Sequence, residues 1–112
     1  MPEIIYETVI DNATPLPPSG VVESNVIDVN GARTVNLMFG VPSNDPDVHW
    51  GVHFGPTTNN AYAQARTGTF ADHNTIAISV PVFGPGLLLF IENRGSRDET
   101  VDGKIYFIRD LP

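Results

Sequence analysis

The chain has 112 residues, a length that fits one domain spanning 1–112 with room for a hydrophobic core. Hydrophobic residues make up 41% and charged residues 17%, a balance that excludes intrinsic disorder, and the formal net charge of -7 argues against a nucleic-acid backbone or an anionic membrane as partner. There is no cysteine, which excludes disulfides and a thiol nucleophile.

Gly and Pro, 10 of each, recur between short apolar runs, so the pattern is many strands joined by turns. Residues 3–11 read as the first strand, with Ile4, Tyr6, Thr8 and Ile10 on one face and Ile5, Glu7 and Val9 on the other. Its start carries no basic segment and no long apolar run, so no signal peptide is expected in this chain. A cytoplasmic or phage/virion-associated setting follows as the expectation. Residues 12–20 hold Pro15, Pro17, Pro18 and Gly20 and read as a loop. The second strand covers 21–29. Asn30-Gly31 then predicts a type I′ hairpin into a third strand over 34–39, with Val35, Leu37 and Phe39 inward.

Residues 40–47 read as a polar loop. Residues 48–54 alternate cleanly, which puts Val48, Trp50, Val52 and Phe54 in the core and His49, Gly51 and His53 outside. Residues 61–69 fit a short irregular strand better than a helix. Residues 75–83 form a strand whose Pro81 lacks an amide donor and so points to an edge. Residues 87–91, Leu-Leu-Leu-Phe-Ile, are bounded by Gly84-Pro85-Gly86 and are apolar on both faces. Asp102-Gly103 reads as the last turn, and 104–109 as the last strand, with Ile105 and Phe107 opposed to Tyr106 and Ile108. About eight strands at this spacing predict an all-β fold, a two-sheet antiparallel sandwich with jelly-roll-like connections.

Few residues point to chemistry. His49 and His53 have metal-ligand spacing for a helix, but a strand sets them about 13 Å apart. With His73 they form the alternative reading, a small metal-dependent enzyme or metal-binding protein. Asp45 and Asp47, and Asp98, Glu99 and Asp102, offer oxygens without the spacing of a calcium loop. No serine sits in a Gly-x-Ser-x-Gly elbow, and no Gly-rich loop opens a helix. Nothing local supports an enzyme or calls for a cofactor. For a sugar, Tyr62 is the exposed aromatic candidate, with Arg66, Asn59 and Asn60 near it for hydroxyls; Trp50 falls on the core side.

The segments 26–37, 48–55 and 86–93 carry a strand, Asp28-Val29-Asn30-Gly31, a second strand, and a late apolar strand ending in Asn93. This outline resembles galactose-binding-like jelly-roll domains of bacterial and phage proteins. The resemblance covers about a third of the chain and implies the fold, with glycan binding or a structural role as the usual uses; it maps no ligand residue here.

An isolated sandwich shows water a polar outer face. Leu88, Phe90, Tyr106 and Ile108 break that rule, and as one patch they would need cover. The expected partner is a second copy, giving a homo-oligomer. The function read from the sequence is therefore a non-catalytic, self-associating module, structural or carbohydrate-binding.

Overall fold

Period-two alternation sets the inner faces. Val35, Leu37 and Phe39, then Val48, Trp50, Val52 and Phe54, then Leu87, Leu89 and Ile91, then Ile105 and Phe107 are all buried. The computed structural model describes residues 2–110. Among these residues nine strands form: β1 (Pro2–Leu16), β2 (Val21–Glu23), β3 (Ile27–Asp28), β4 (Thr34–Gly40), β5 (Asp45–Gly55), β6 (Ala63–Phe70), β7 (Thr75–Pro81), β8 (Gly86–Asn93) and β9 (Glu99–Asp110). They build two antiparallel sheets, one ordered β1-β9-β4-β7 and the other β2-β8-β5-β6 with β3 also on β8. Among the described residues there is no helix, hence none long and apolar enough to cross a membrane. The all-β sandwich expected from the sequence is the observed fold.

Several local expectations give way. β1 continues to Leu16, because Thr14, Pro15 and Leu16 still pair with Val101, Thr100 and Glu99. An edge strand tolerates a proline whose missing amide is not needed. Register breaks between Thr8 and Ile10, and between Ile10 and Thr14, reverse its faces. Ile4 and Tyr6 therefore point to water while Ile10 is buried. The expected second strand divides into β2 and β3, both paired to β8.

Asn30-Gly31 does not make a hairpin. Only Gly31 of the two has positive φ, at 85°, whereas a type I′ turn requires both. The turn carries the chain from β3 in one sheet to β4 in the other. Asp102-Gly103 is not a turn either; both residues lie inside β9. A Cβ on Gly103 would stand 3.2 Å from Leu89 Cδ2, so glycine here permits close approach of the facing sheet. Pro81 does end β7 at a sheet edge, as its missing donor required.

Aromatic rings lie over two glycines. Trp50 pairs with Gly68 on β6, and a Cβ there would fall 2.5 Å from the indole. Gly51 pairs with Phe90, where a Cβ would fall 2.2 Å from the ring. Trp50 is thus a core residue, edge-on to Phe39 at 5.1 Å between centroids, and its Nε1 is buried without a hydrogen-bond partner among the described residues.

Candidate functional site

β5 runs the length of its sheet, and its two ends carry the features of most interest. At its C-terminal end, Phe54 and Gly55 anchor two loops. Tyr62 donates its backbone N–H to the Phe54 carbonyl (3.2 Å). On the other side, a Cβ on Gly84 would lie 2.4 Å from the Gly55 carbonyl oxygen, so the loop between β7 and β8 is pressed onto β5. The Phe83 ring meets Phe54 edge-on, 5.7 Å between centroids. Both rings remain in water, Tyr62 66% and Phe83 70% exposed. Between them lies an open cleft of about 430 Å³ lined by Phe54, Gly55, Pro56, Tyr62, Ala63, Gln64, Ala65 and Phe83.

Of the four ligand residues expected from the sequence, Tyr62 alone lines this cleft. Arg66 is exposed on β6 opposite Val52, beyond the register slip that separates it from Gln64 and Ala63, and does not line the cleft. Asn59 accepts a hydrogen bond from the Thr57 hydroxyl (2.8 Å), and the Asn60 carbonyl occupies the space beside Gly55. Both serve the turn. Phe83 and Gln64 take the places that Arg66 and the asparagines were expected to fill. The signal for Phe83 was present: a large aromatic directly before Gly84-Pro85-Gly86, where no strand continues to bury it.

His49 and His53 project from the outer face of β5, half-buried, with His53 against Phe90 at 4.9 Å between ring centroids. His73 lies exposed in the turn between β6 and β7. Among the described residues no three acidic, histidine or cysteine side chains converge in a way that could hold a metal ion.

At the N-terminal end of β5, Asp45 and Glu99 are buried, 4% and 7% exposed, and share a hydrogen bond. Arg97 Nη2 reaches Asp45 Oδ2 at 3.2 Å and Glu99 Oε2 at 3.6 Å. Asp45 Oδ1 also accepts the Asp47 backbone N–H (3.0 Å). The group clasps the start of β5 to the start of β9, one strand from each sheet. The hydrogen bond from Glu99 lowers the Asp45 carboxyl, helped by the Asp47 amide and Arg97 against burial. Burial raises Glu99, and the Asp45 partner adds to it.

The signs follow from proton linkage. Asp45 stabilises the fold above its ordinary value of 3.8, and that contribution is lost as pH falls through its lowered folded value. Folded Glu99 keeps its proton above the ordinary 4.5, so stability declines as pH rises through its folded value. Glu99→Gln keeps a donor to Asp45 and removes the second titration. Urea unfolding is expected to find E99Q flatter than the parent between pH 4.5 and 7 and at least as stable at pH 7. An unchanged slope would show that Glu99 does not titrate in that window.

The four residues expected to form one patch are divided. Leu88 and Phe90 belong to β8 and Tyr106 and Ile108 to β9, which lie in different sheets, so the pairs occupy opposite outer faces of the sandwich. The single patch presumed adjacent strands, and topology separates them. On the β1-β9-β4-β7 sheet the apolar surface is larger than expected. Ile4 pairs with Ile108, Tyr6 with Tyr106, and Met38 with Lys104 beside them. Ile4 is 66% exposed, Tyr6 58%, Ile108 52% and Met38 44%. The Tyr6 and Tyr106 rings meet edge-on at 6.4 Å. On the opposite face, Phe90 is half-buried, lying over Gly51 and against His53.

No protein-family model matches the chain, nor does any curated protein. Solved structures share its fold. A protein of Bacillus endospore appendages, described as a family of disulfide-linked pili, aligns with TM-score 0.61 and 12% identity over 100% of this chain and 92% of that one. VP2 of the infectious bursal disease virus subviral particle aligns with TM-score 0.58 and 10% identity over 96% of this chain, which spans 32% of VP2. The SPBc2 prophage-derived protein YomS aligns with TM-score 0.53 and 13% identity, covering 95% of each chain. These likenesses are of fold, and at that level the jelly-roll resemblance to bacterial and phage proteins is borne out.

Proposed function

We propose that the protein is a non-catalytic β-sandwich module that assembles with copies of itself through the outer face of the β1-β9-β4-β7 sheet. The observation that carries this reading is the run of exposed apolar side chains Ile4, Tyr6, Met38 and Ile108 around Tyr106 on one face of the sheet. Apolar groups gathered this way favour burial against a matching surface, and a two-fold axis lets one patch cover itself. Association by sheet edges is less favoured. β1 is interrupted by two register breaks, β2 and β3 have three and two residues, β7 ends at Pro81, and the remaining edge strand, β6, has two register breaks in its pairing with β5.

Leu88 and Phe90, expected in the same interface, are left out of it because they lie on the other sheet. A structural role in a larger particle, cytoplasmic or phage/virion-associated, fits this arrangement. The pilus and subviral particle proteins use a similar sandwich, but disulfide linkage is not open to a chain without cysteine. A carbohydrate-binding role has separate support in the cleft between Tyr62 and Phe83 and is compatible with assembly.

Light scattering coupled to sizing tests the main reading. The parent is expected to elute as more than one copy at high micromolar concentration. Ile108→Glu, at an exposed position that the core does not use, is expected to weaken association at least about tenfold, since a charge in an apolar contact costs more than 1.4 kcal/mol. A parent that stays monomeric, or an assembly that ignores Ile108→Glu, would remove the basis of the proposal.

A further inference from the structure

We infer that the cleft between Tyr62 and Phe83 receives one uncharged sugar ring, stacked on the two aromatic side chains and hydrogen-bonded by Gln64. The inference rests on the ligand-binding reading of this cleft and is independent of self-association.

Three properties of the site select that chemistry. The first is that one ring and the backbone of the other are held ready. Phe83 is fixed edge-on to Phe54 (5.7 Å), its loop pressed onto Gly55, and the backbone N–H of Tyr62 is tied to the Phe54 carbonyl (3.2 Å). A ring that is 70% exposed yet anchored, as Phe83 is, loses little freedom on binding, which lowers the cost of stacking. The second is that, among the described residues, no charged side chain lines the cleft, although the chain carries 13 acidic and 6 basic residues. A carboxylate, sulfate, phosphate or amine on the ligand would be desolvated there without a counter-charge. The third is the balance of groups. The floor and walls are apolar or small, namely Phe54, Gly55, Pro56, Ala63 and Ala65, while Gln64 and the Tyr62 hydroxyl are the side-chain polar groups.

A pyranose has the matching surface, with apolar C–H faces and hydroxyls around its rim. Its C–H face can lie on an aromatic ring while one amide both donates to and accepts from neighbouring hydroxyls. The volume, about 430 Å³, lies within the range of small-molecule sites. The cleft is open to water, which suits a sugar inside a longer chain and disfavours a lipid tail that needs enclosure.

The test is amide chemical-shift mapping of the full chain, titrated separately with cellohexaose, laminarihexaose, maltohexaose and mannohexaose. A trigalacturonate and a proline-rich decapeptide are the controls. At least one neutral hexaose is expected to shift Tyr62, Ala63, Gln64 and Gly84 in a saturable way. Tyr62→Ala and Phe83→Ala, both at exposed positions, are each expected to weaken that binding about tenfold. Trigalacturonate is expected to leave these resonances unmoved. Shifts with the proline-rich peptide and none with the sugars would overturn the sugar while keeping the cleft as a site. No shift with any probe would overturn both. Cleft resonances that move with protein concentration alone would assign the cleft to a second copy and overturn the inference.

Discussion

Replacing Phe39 with alanine is expected to cost about 3–5 kcal/mol, the usual range for a buried phenylalanine. Phe39 is 1% exposed and comes from β4. It meets Trp50 on β5 edge-on at 5.1 Å and Phe70 on β6 edge-on at 6.0 Å. One side chain from one sheet thus holds two aromatic rings of the other. Truncation removes the apolar transfer energy and both edge-to-face contacts, and leaves a void that rigid neighbours cannot refill. For a domain of this size the midpoint of thermal unfolding should fall by roughly 12 °C or more. Urea unfolding followed by circular dichroism, with Trp50 fluorescence as a local probe, measures both quantities. A loss below about 1 kcal/mol would mean the core repacks around the gap.

The second large effect is expected at Gly55. A Cβ there would stand 1.7 Å from the Asn60 carbonyl oxygen and 2.8 Å from the Ala61 Cα, both backbone atoms. Flexible side chains can rotate away from an added methyl, but this turn can yield only by moving bodily. Gly55→Ala is expected to destabilise by about 2–3 kcal/mol, the upper part of the range for overpacking. The displacement should reach the cleft, since Tyr62 follows Ala61 and the Gly55 carbonyl supports Gly84. Amide shifts at Tyr62, Phe83 and Gly84 should therefore move in the folded fraction of the variant. Stability and shifts both matching the parent would mean the turn is softer than its packing implies.

What could be read without coordinates was whatever repeats every second residue. Val35, Leu37 and Phe39, and Val48, Trp50, Val52 and Phe54, declare their buried face by alternation alone. Pro81 declared its edge by lacking a donor. Reading failed where one residue changes the parity. The slip between Thr8 and Ile10 is a property of pairing with β9, and no local composition marks it. Glycine was misread for a related reason. Asp102-Gly103 has turn chemistry, yet Gly103 lies in a strand because Leu89 of the facing sheet needs the room. The candidate site was half legible. Tyr62 stood out as an aromatic among small residues. Phe83, which lines the same cleft, is 21 positions away, and the packing of Gly84 on Gly55 helps to place it there. The split of Leu88 and Phe90 from Tyr106 and Ile108 depends on strand order, which alternation does not encode.

β1 and β9 lie antiparallel with Pro2 opposite Asp110. Tension applied at those two residues would load the ladder at its end, so the bonds would part in sequence rather than share the force. A zipper opened this way yields at low load. If the module carries mechanical stress, the stress is better borne through its broad faces, where apolar contacts resist together, and a fibre that pulled on Pro2 and Asp110 would be its weakest form.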